Sequence, residues 1–339
     1  MSETHLIDSF DRRIRYLRLS VTDRCNLRCT YCMAEDMVFL PKAKVLSLEE
    51  LALVGETFIK LGVEKIRLTG GEPLVRKDIV GLAERLGAAS GLRELVMTTN
   101  GVLLDQYAKS LVDAGMSRIN ISLDSLQADR FKTMTRFGNL EDVIKGIDAA
   151  QEAGFERIKI NAVIMRGFND DEVLDLTQFS IDRGLDISFI EEMPLGIISS
   201  HSREKTSVSS QTIRSQLSEK FGLVESSFKD RAGGPARYHY VPNTHTRVGF
   251  ISPMSENFCS TCNRVRVTTE GQLLLCLGNE DALDLRAIIR EGQAAGLNEA
   301  QLQTELAQAI VESMQRKPEK HTFDPREIKI TRFMSATGG

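Results

Sequence analysis

The chain has 339 residues, of which 42% are hydrophobic and 27% are charged, and its formal net charge at pH 7 is −4. This composition is typical of a globular protein of about two domains, and the charge argues against general binding to nucleic acid or anionic membranes. No apolar run approaches the ~20 residues that cross a bilayer, and the N-terminal segment is too polar for a signal peptide. We therefore expect a cytoplasmic protein with reduced thiols, in which clustered cysteines more often bind metal than form disulfides.

The first part of the chain alternates strand patterns with amphipathic helix patterns. The predicted strands are residues 14–21, 63–69, 94–98, 118–122, 157–163 and 185–190. The predicted helices between them are residues 48–61, 105–114, 139–153 and 170–183. This alternation predicts an α/β fold with a parallel sheet and crossover helices. Six units predict an open, incomplete α/β barrel rather than a closed eight-stranded one.

Five of these strands alternate apolar and polar residues, although strands of a fully covered parallel sheet usually read as continuous apolar runs. Successive side chains of a strand point to opposite faces, so one face of the sheet is polar. The polar set includes Arg18, Ser20, Arg67, Thr69, Thr98, Asn120, Ser122, Lys159 and Asn161. If helices cover the apolar face, three cations of this set share the barrel interior, where they require a negative partner. A sheet with one solvated face is the alternative.

The pattern changes after Pro194. Residues 196–210 are rich in serine and are interpreted as a linker or mobile loop. A helix is predicted at 212–221, strands at 237–241 and 248–251, and a hairpin at 264–268 and 272–277 with its turn at 269–271. A terminal helix is predicted at 299–314, with Asn298 as its N-cap. Its apolar stripe is interpreted as core.

The six cysteines of the chain fall into two groups of three. Cys25, Cys29 and Cys32 lie within eight residues, directly after the first predicted strand. Three thiolates on one loop can hold a cubane iron–sulfur cluster and leave one iron open to a ligand, which is typical of a reactive metal site. The alternatives are a zinc site completed by a distant histidine, or incidental buried cysteines.

The second group contains Cys259, Cys262 and Cys276. Cys262, Arg264 and Arg266 share strand parity and therefore one face. A three-residue turn that ends at Gly271 would place position 264 opposite position 276. Two arginines would then lie beside this cluster, where they would favour an anionic ligand. A small structural zinc ribbon is the alternative.

The CxxxCxxC spacing, with Tyr31 before the third cysteine, resembles the signature of the radical S-adenosylmethionine (SAM) superfamily. Gly70-Gly71-Glu72-Pro73 after the second strand resembles the glycine-rich SAM motif of that superfamily. With the second triad added, the chain is similar essentially end to end to the GTP 3′,8-cyclase family. The resemblance implies an incomplete (βα)6 barrel of the radical SAM type over residues 1–225, with an N-terminal [4Fe-4S] cluster. It also implies a C-terminal α+β domain over residues 226–339 that closes the barrel opening and carries a second [4Fe-4S] cluster and a Gly-Gly tail.

The resemblance also implies roles for individual residues. The six cysteines would hold the two clusters. SAM would be bound by Tyr31, Gly71, Ser122 and Met193. GTP would be bound by Arg18, Arg67, Thr98, Lys159, Arg264 and Arg266. The tail, Gly338 and Gly339, would reach into the active site. No side chain is assigned a catalytic role, because the cofactors carry the difficult chemistry.

The implied activity begins with reductive cleavage of SAM to a 5′-deoxyadenosyl radical, which removes the ribose 3′ hydrogen of GTP. Bond formation between C3′ and C8 then gives (8S)-3′,8-cyclo-7,8-dihydroguanosine 5′-triphosphate, in the first step of molybdopterin biosynthesis. The implied partners are GTP, an external one-electron reductant and a downstream cyclic pyranopterin monophosphate synthase, and a homodimer is compatible with the resemblance. The alternatives are a peptide-modifying radical SAM enzyme, a zinc-ribbon module on an α/β scaffold, and a degenerate relative that binds GTP without turnover.

Overall fold

The predicted alternation of strands and helices is present in the computed structural model, which describes residues 5–196, 202–226, 233–324 and 329–338. Its central strands are β1 (Tyr16–Ser20), β2 (Lys65–Thr69), β3 (Glu94–Thr99), β4 (Met116–Ser122), β5 (Arg157–Val163) and β6 (Asp186–Ile190). Each of these strands pairs in parallel with the next one along the chain. The predicted incomplete parallel barrel is therefore confirmed.

Helices connect these strands as crossovers. They are α1 (Leu48–Lys60), α2 (Ile79–Gly87), α3 (Leu104–Asp113), α4 (Ala128–Thr135), α5 (Leu140–Ala153) and α6 (Val173–Asp182). α1 begins with a capping box, in which Ser47 and Glu50 satisfy each other's backbone N–H groups. The Asn139 side chain caps α5 by accepting from the backbone N–H of Glu141. In the described ranges no helix is both long enough and apolar enough to span a bilayer.

The C-terminal strands extend the same sheet at both edges. They are β7 (Val224–Glu225), β8 (Arg237–Tyr240), β9 (Arg247–Ile251), β10 (Arg264–Val267), β11 (Gln272–Leu274) and β12 (Ala282–Asp284). β10 pairs in parallel with β1, and β9 pairs in parallel with β6. The strand order across the sheet is β12-β11-β10-β1-β2-β3-β4-β5-β6-β9-β8-β7.

Five further helices in the described residues are α7 (Arg203–Thr206), α8 (Ser210–Phe221), α9 (Leu285–Ala294), α10 (Glu299–Ser313) and α11 (Met334–Thr337). Asn298 caps α10 as predicted, within a capping box completed by Gln301. The stripe Leu302, Leu306, Ile310 and Met314 is buried, as predicted. α10 therefore packs as a core helix.

The interpretation of residues 196–210 as a linker is wrong for the part that the structure describes. Residues 197–201 lie outside the described residues, but residues 203–206 form α7. The Arg203 side chain is buried, donates to the backbone carbonyl of Gly196 at 3.0 Å, and lies 3.4 Å from a carboxylate oxygen of Glu192. The serine-rich composition of this segment gave no indication that the Arg203 side chain is buried and anchors it.

The sheet has an apolar face and a polar face, and both are buried. Leu17, Leu19, Ile66 and Leu68 on the apolar face are all 0% exposed. On the polar face Arg67 is only 6% exposed, so this face is a lumen rather than a solvated surface. The alternation therefore predicted the barrel interior correctly.

Candidate active site

The two cysteine triads lie at opposite ends of one pair of strands. Cys25 follows the C-terminal end of β1, whereas Cys262 precedes the N-terminal end of β10. These strands are parallel, with Tyr16 opposite Arg264. The first triad is therefore at the C-terminal edge of the sheet and the second at its N-terminal edge.

The first triad occupies a loop that is held by backbone and amide contacts. The sulfur of Cys25 accepts from the backbone N–H of Leu27 at 3.4 Å and from the Asn100 amide at 3.7 Å. The backbone N–H of Cys32 donates to the carbonyl of Cys29 at 2.9 Å. Burial and the charge of Cys25 raise the pKa of Cys32 to about 12, so three thiolates at this place require a positive charge among them. A metal cluster supplies that charge, and the donor set fits one.

The Gly-Gly pair after β2 allows a close crossing with the segment that leads to Cys25. The backbone N–H of Gly71 donates to the carbonyl of Thr22, and that of Glu72 donates to the carbonyl of Arg24, both at 2.8 Å. A Cβ atom at Gly71 would lie 2.4 Å from the Arg24 carbonyl oxygen, so a side chain is excluded. The lack of side chains at these glycines thus lets the segment after β2 pack closely against the segment that leads to the first triad.

The buried Glu72 carboxylate fixes the neighbouring loop. It accepts from the backbone N–H of Leu74 at 3.0 Å, from the Thr99 hydroxyl at 2.8 Å and from the backbone N–H of Asn100 at 2.6 Å. Burial raises the pKa of Glu72 to about 7, although these hydrogen bonds oppose the shift. Glu72 thereby positions Asn100, whose amide reaches the Cys25 sulfur. Sequence reasoning did not single out Asn100.

The other residues predicted to bind SAM lie at this same C-terminal edge. The Tyr31 hydroxyl donates to Asp124 at 2.7 Å, and burial raises the pKa of Asp124 to about 6. Ser122 is the last residue of β4, opposite Asn161 of β5. Met193 follows the end of β6, and its carbonyl accepts from the backbone N–H of Leu195 at 2.9 Å. The carboxyl ends of parallel strands are where α/β folds bind ligands.

The predicted GTP-binding cations form a row across three strands. Arg266 of β10 is opposite Arg18 of β1, and Arg18 is opposite Arg67 of β2. Neighbouring strands are about 4.8 Å apart, so these three guanidinium groups project from adjacent positions on the lumen face. The next row toward the second triad contains Arg264, Tyr16 and Lys65.

Tyr16, which the sequence analysis did not single out, belongs to the second row and reaches the arginine row with its hydroxyl. Its hydroxyl accepts from Arg67 Nε at 2.6 Å and from an Arg18 terminal nitrogen at 3.4 Å. Burial opposes ionisation of this phenol, but the charges of Arg67, Arg18 and Lys65 outweigh it and lower the pKa to about 6. Arg67 also donates to the Thr98 hydroxyl at 3.2 Å, which places Thr98 in the same cluster. The parity of Tyr16 with Arg18 is the signal that could have identified it.

The lumen cations repel one another. Burial, together with Arg67 and Arg264, lowers the pKa of Arg18 to about 10. Burial and the neighbouring arginines lower the pKa of Arg266 well below its ordinary range. Such a site favours a ligand that carries several negative charges.

Lys159 lies on the opposite wall of the lumen, on β5. Its ammonium is 3.3 Å from the hydroxyl of Tyr238 on β8, and burial lowers its pKa. Tyr238 was also missed by sequence reasoning, because no local pattern relates it to β5. A polyanion in the lumen could reach Lys159 as well as the arginine row.

The hairpin has the predicted register. Arg266 is opposite Leu274 and Val267 is opposite Leu273, which is the register that places position 264 opposite position 276. The turn closes through a hydrogen bond from the Gly271 N–H to the Thr268 carbonyl at 2.9 Å. The observed pairs end at Arg266 and Leu274, and the Arg264 charge acts on Cys262 of the same triad.

The three cysteines of the second triad have different surroundings. Burial would raise the pKa of Cys262, but Arg264 and Lys317 lower it to about 7. Burial raises the pKa of Cys276. The carbonyl of Cys259 accepts from Arg12 at 2.8 Å. Three thiol ligands with cations at one side suit a metal centre that binds an anionic molecule.

The C-terminal tail reaches the arginine row. The carbonyl of Gly338 accepts from Arg18 at 3.4 Å and from Arg266. Gly338 has a φ of +76°, and a Cβ atom there would lie 1.9 Å from the Thr69 hydroxyl oxygen. Only glycine fits at this position. Gly339 lies outside the described residues.

Among the described residues, no three His, Cys, Asp or Glu side chains converge closely enough to hold one metal ion.

Comparison with known proteins agrees with this arrangement. The family model of the radical SAM superfamily matches residues 19–180, and that of Molybdenum Cofactor Synthesis C matches residues 185–323. The GTP 3′,8-cyclase of Pseudomonas putida (strain W619) is 57% identical over 336 residues, which is 98% of each chain. The GTP 3′,8-cyclase of Saccharophagus degradans (strain 2-40) is 54% identical over 342 residues and 100% of each chain. The chain belongs to the GTP 3′,8-cyclase family.

A solved structure supports the fold independently. Streptococcus suis SuiB bound to S-adenosylmethionine aligns with a TM-score of 0.60 at 15% identity. The alignment covers 81% of this chain and 64% of SuiB, which is less than two thirds of that protein. At this identity the likeness concerns the partial barrel alone.

Membership of the GTP 3′,8-cyclase family makes the chain a radical SAM enzyme. The superfamily implies a [4Fe-4S] cluster and SAM. The first triad, at the C-terminal edge, has the donor set for that cluster.

Proposed function

We propose that the protein is a GTP 3′,8-cyclase that converts GTP to (8S)-3′,8-cyclo-7,8-dihydroguanosine 5′-triphosphate, the first step of molybdopterin biosynthesis. The observation that carries this proposal is full-length identity of 54–57% to curated GTP 3′,8-cyclases. The lumen chemistry agrees with it, because a triphosphate supplies the negative charge that the buried arginine row requires.

In this proposal Cys25, Cys29 and Cys32 hold the first [4Fe-4S] cluster. SAM binds over that cluster beside Tyr31, Gly71, Ser122 and Met193, all near the C-terminal edge of the sheet. Together the cluster and SAM supply one-electron chemistry that removes a hydrogen atom from the substrate ribose. The protein orients SAM and shields the reaction from water.

Substrate binding is assigned to the remaining site residues. The triphosphate and ribose lie against Arg18, Arg67, Thr98, Lys159, Arg264 and Arg266. Cys259, Cys262 and Cys276 would hold the second [4Fe-4S] cluster, which would supply a metal site for the guanine base. The Gly338-Gly339 tail is assigned to the active site, which the contact of the Gly338 carbonyl with Arg18 and Arg266 supports. These residue roles rest on the resemblance, and the positions described above support them.

The wider setting belongs to the same proposal. A core over residues 1–225 and a C-terminal domain over residues 226–339 are part of the proposal. A cytoplasmic location follows from thiols that must stay reduced to bind iron. An external one-electron reductant, a cyclic pyranopterin monophosphate synthase as the consumer of the product, and a homodimer complete the proposal.

An isotope experiment tests the function. The protein is reconstituted without oxygen and supplied with SAM, a low-potential reductant and GTP that carries deuterium at C3′. We expect 5′-deoxyadenosine containing the deuterium, and a cyclised guanosine triphosphate. The Cys29→Ser variant serves as the control that forms neither. Deuterium retained in the nucleotide, with SAM still cleaved, would refute the proposed hydrogen abstraction.

A further inference from the structure

A buried lysine contacts the second triad. Lys317 follows a short 3-10 turn (Met314–Arg316) after α10, and its side chain is only 2% exposed. Its ammonium lies 3.7 Å from the Cys262 sulfur and 3.1 Å from the carbonyl oxygen of Arg264. It also donates to the carbonyl of Leu275, the residue before Cys276. One ammonium thus joins both arms of the hairpin beside two cysteines.

These contacts use all three donors of the ammonium group. Two of the acceptors are neutral carbonyls, and the third is a cysteine sulfur. Within the described part of the chain, no carboxylate lies within 4.0 Å of this ammonium. A buried ammonium is costly without a negative partner, so the Cys262 sulfur is its counter-charge.

The backbone around this lysine is tied to the same loop. Arg12 donates to the carbonyls of Pro318 and Glu319, both at 2.7 Å, and to the carbonyl of Cys259 at 2.8 Å. Asp8 holds the Arg12 guanidinium at 2.6 Å. The N-terminal segment therefore fixes the position of Lys317 relative to the triad, so the contact is a built feature of the fold.

We propose that Lys317 is a positioning residue that acts through Cys262 and raises the reduction potential of the second cluster. The inference rests on the proposed function, which places a [4Fe-4S] cluster on this triad. When the cluster takes one electron from an external reductant, no bond breaks and its negative charge increases by one. An ammonium that donates to a ligand sulfur stabilises that extra charge, since hydrogen bonds to sulfur and local charge set cluster potentials.

The test is a redox titration of the reconstituted full-length protein and of Lys317→Met. The second cluster is followed by the electron paramagnetic resonance signal that responds to added GTP, and the first by the signal that responds to SAM. In Lys317→Met, at a fixed potential, we expect the reduced-to-oxidised ratio of the second cluster to fall at least tenfold. For a one-electron couple, tenfold corresponds to about 59 mV toward more negative potential. The first cluster should titrate as in the wild type.

Two further variants and a metal analysis separate the outcomes. Lys320→Met, at an exposed neighbouring lysine, is the matched control and should change neither cluster. Lys317→Gln keeps a donor without the charge and should shift the potential in the same direction. If the reduction potential of the second cluster is unchanged in either Lys317 variant, and the iron content is full, the proposal is wrong. Loss of the second cluster from both Lys317 variants also overturns it, because Lys317 would then have a structural role only. Wild-type protein with only about four irons would instead refute the second cluster itself.

Discussion

We expect a single added methyl group to lower the turnover rate most when it is placed at Gly338, in the C-terminal tail. Gly338→Ala puts a Cβ atom 2.6 Å from the Cβ of Thr69, whereas unbonded carbons stay about 3.5–4.0 Å apart. Thr69 is buried in β2 and paired with Ser20 of β1, so it cannot yield. The φ of +76° adds about 1–2 kcal/mol for an L-residue. That strain alone lowers the ratio of seated to unseated tail roughly 5–30-fold, and the steric overlap lowers this ratio further.

The assay is the initial rate of cyclised product at saturating SAM and GTP, measured beside the free energy of unfolding. We expect kcat to fall at least as far as the tail population, while the free energy of unfolding changes by less than ~0.5 kcal/mol, because the tail can leave without unfolding the barrel. Gly184→Ala is the matched control, since Gly184 also has a positive φ of +66° but no atom within 4 Å of the added Cβ. A Gly338→Ala enzyme with wild-type kcat and KM would show that the seated tail plays no part in turnover.

Four other substitutions probe the lumen and the triads. Cys29→Ser should abolish SAM cleavage and lower the iron content, whereas Cys262→Ser should retain part of the cleavage and lose cyclisation. Equal SAM cleavage by Cys29→Ser and wild type would contradict the assignment of the first triad to the cluster that cleaves SAM. Arg67→Met should raise the KM for GTP about tenfold or more, because a buried charge-assisted contact is worth about 1.5–3 kcal/mol, and an unchanged KM measured by steady-state kinetics would remove Arg67 from the substrate site. The folded-state pKa of Tyr16, lowered to about 6 from an ordinary value near 10, means that its phenolate stabilises the fold fully above pH 10 and loses that effect as pH falls through 6. The difference in unfolding free energy between wild type and Tyr16→Phe should therefore grow from pH 6 toward pH 10 in denaturant titrations, and a difference independent of pH would show that the phenol stays protonated.

Features that follow from a short repeat in the sequence, such as the alternation of polar and apolar residues along a strand, were predictable. The alternation along β1 and β2 placed Arg18 and Arg67 in the lumen, because strand side chains change sides at every residue. The three-residue turn fixed the hairpin register, in which Arg266 is opposite Leu274. Cysteine spacing placed the first triad on one loop without any knowledge of the fold.

Features that depend on distant pairing were not predictable. Nothing in the local sequence indicates that β10 lies against β1, although this pairing aligns Arg266 with Arg18. Arg12 and Lys317 escaped attention for a related reason. Lys317 contacts backbone carbonyls and a sulfur, and Arg12 contacts the carbonyls of distant residues in addition to Asp8; carbonyl and sulfur partners have no signature in the side-chain pattern.

The parallel pairing of β1 with β10 also fixes the distance between the two ends of these strands. From the level of Tyr16 and Arg264 to Ser20 at the end of β1 there are four residue steps, or roughly 13 Å at ~3.3 Å per residue. Backbone hydrogen bonds hold that length, so the two ends of this strand pair stay at a fixed separation. In the proposed function, a molecule that meets both ends has to span that separation, and we expect the sheet to discriminate by length as well as by charge.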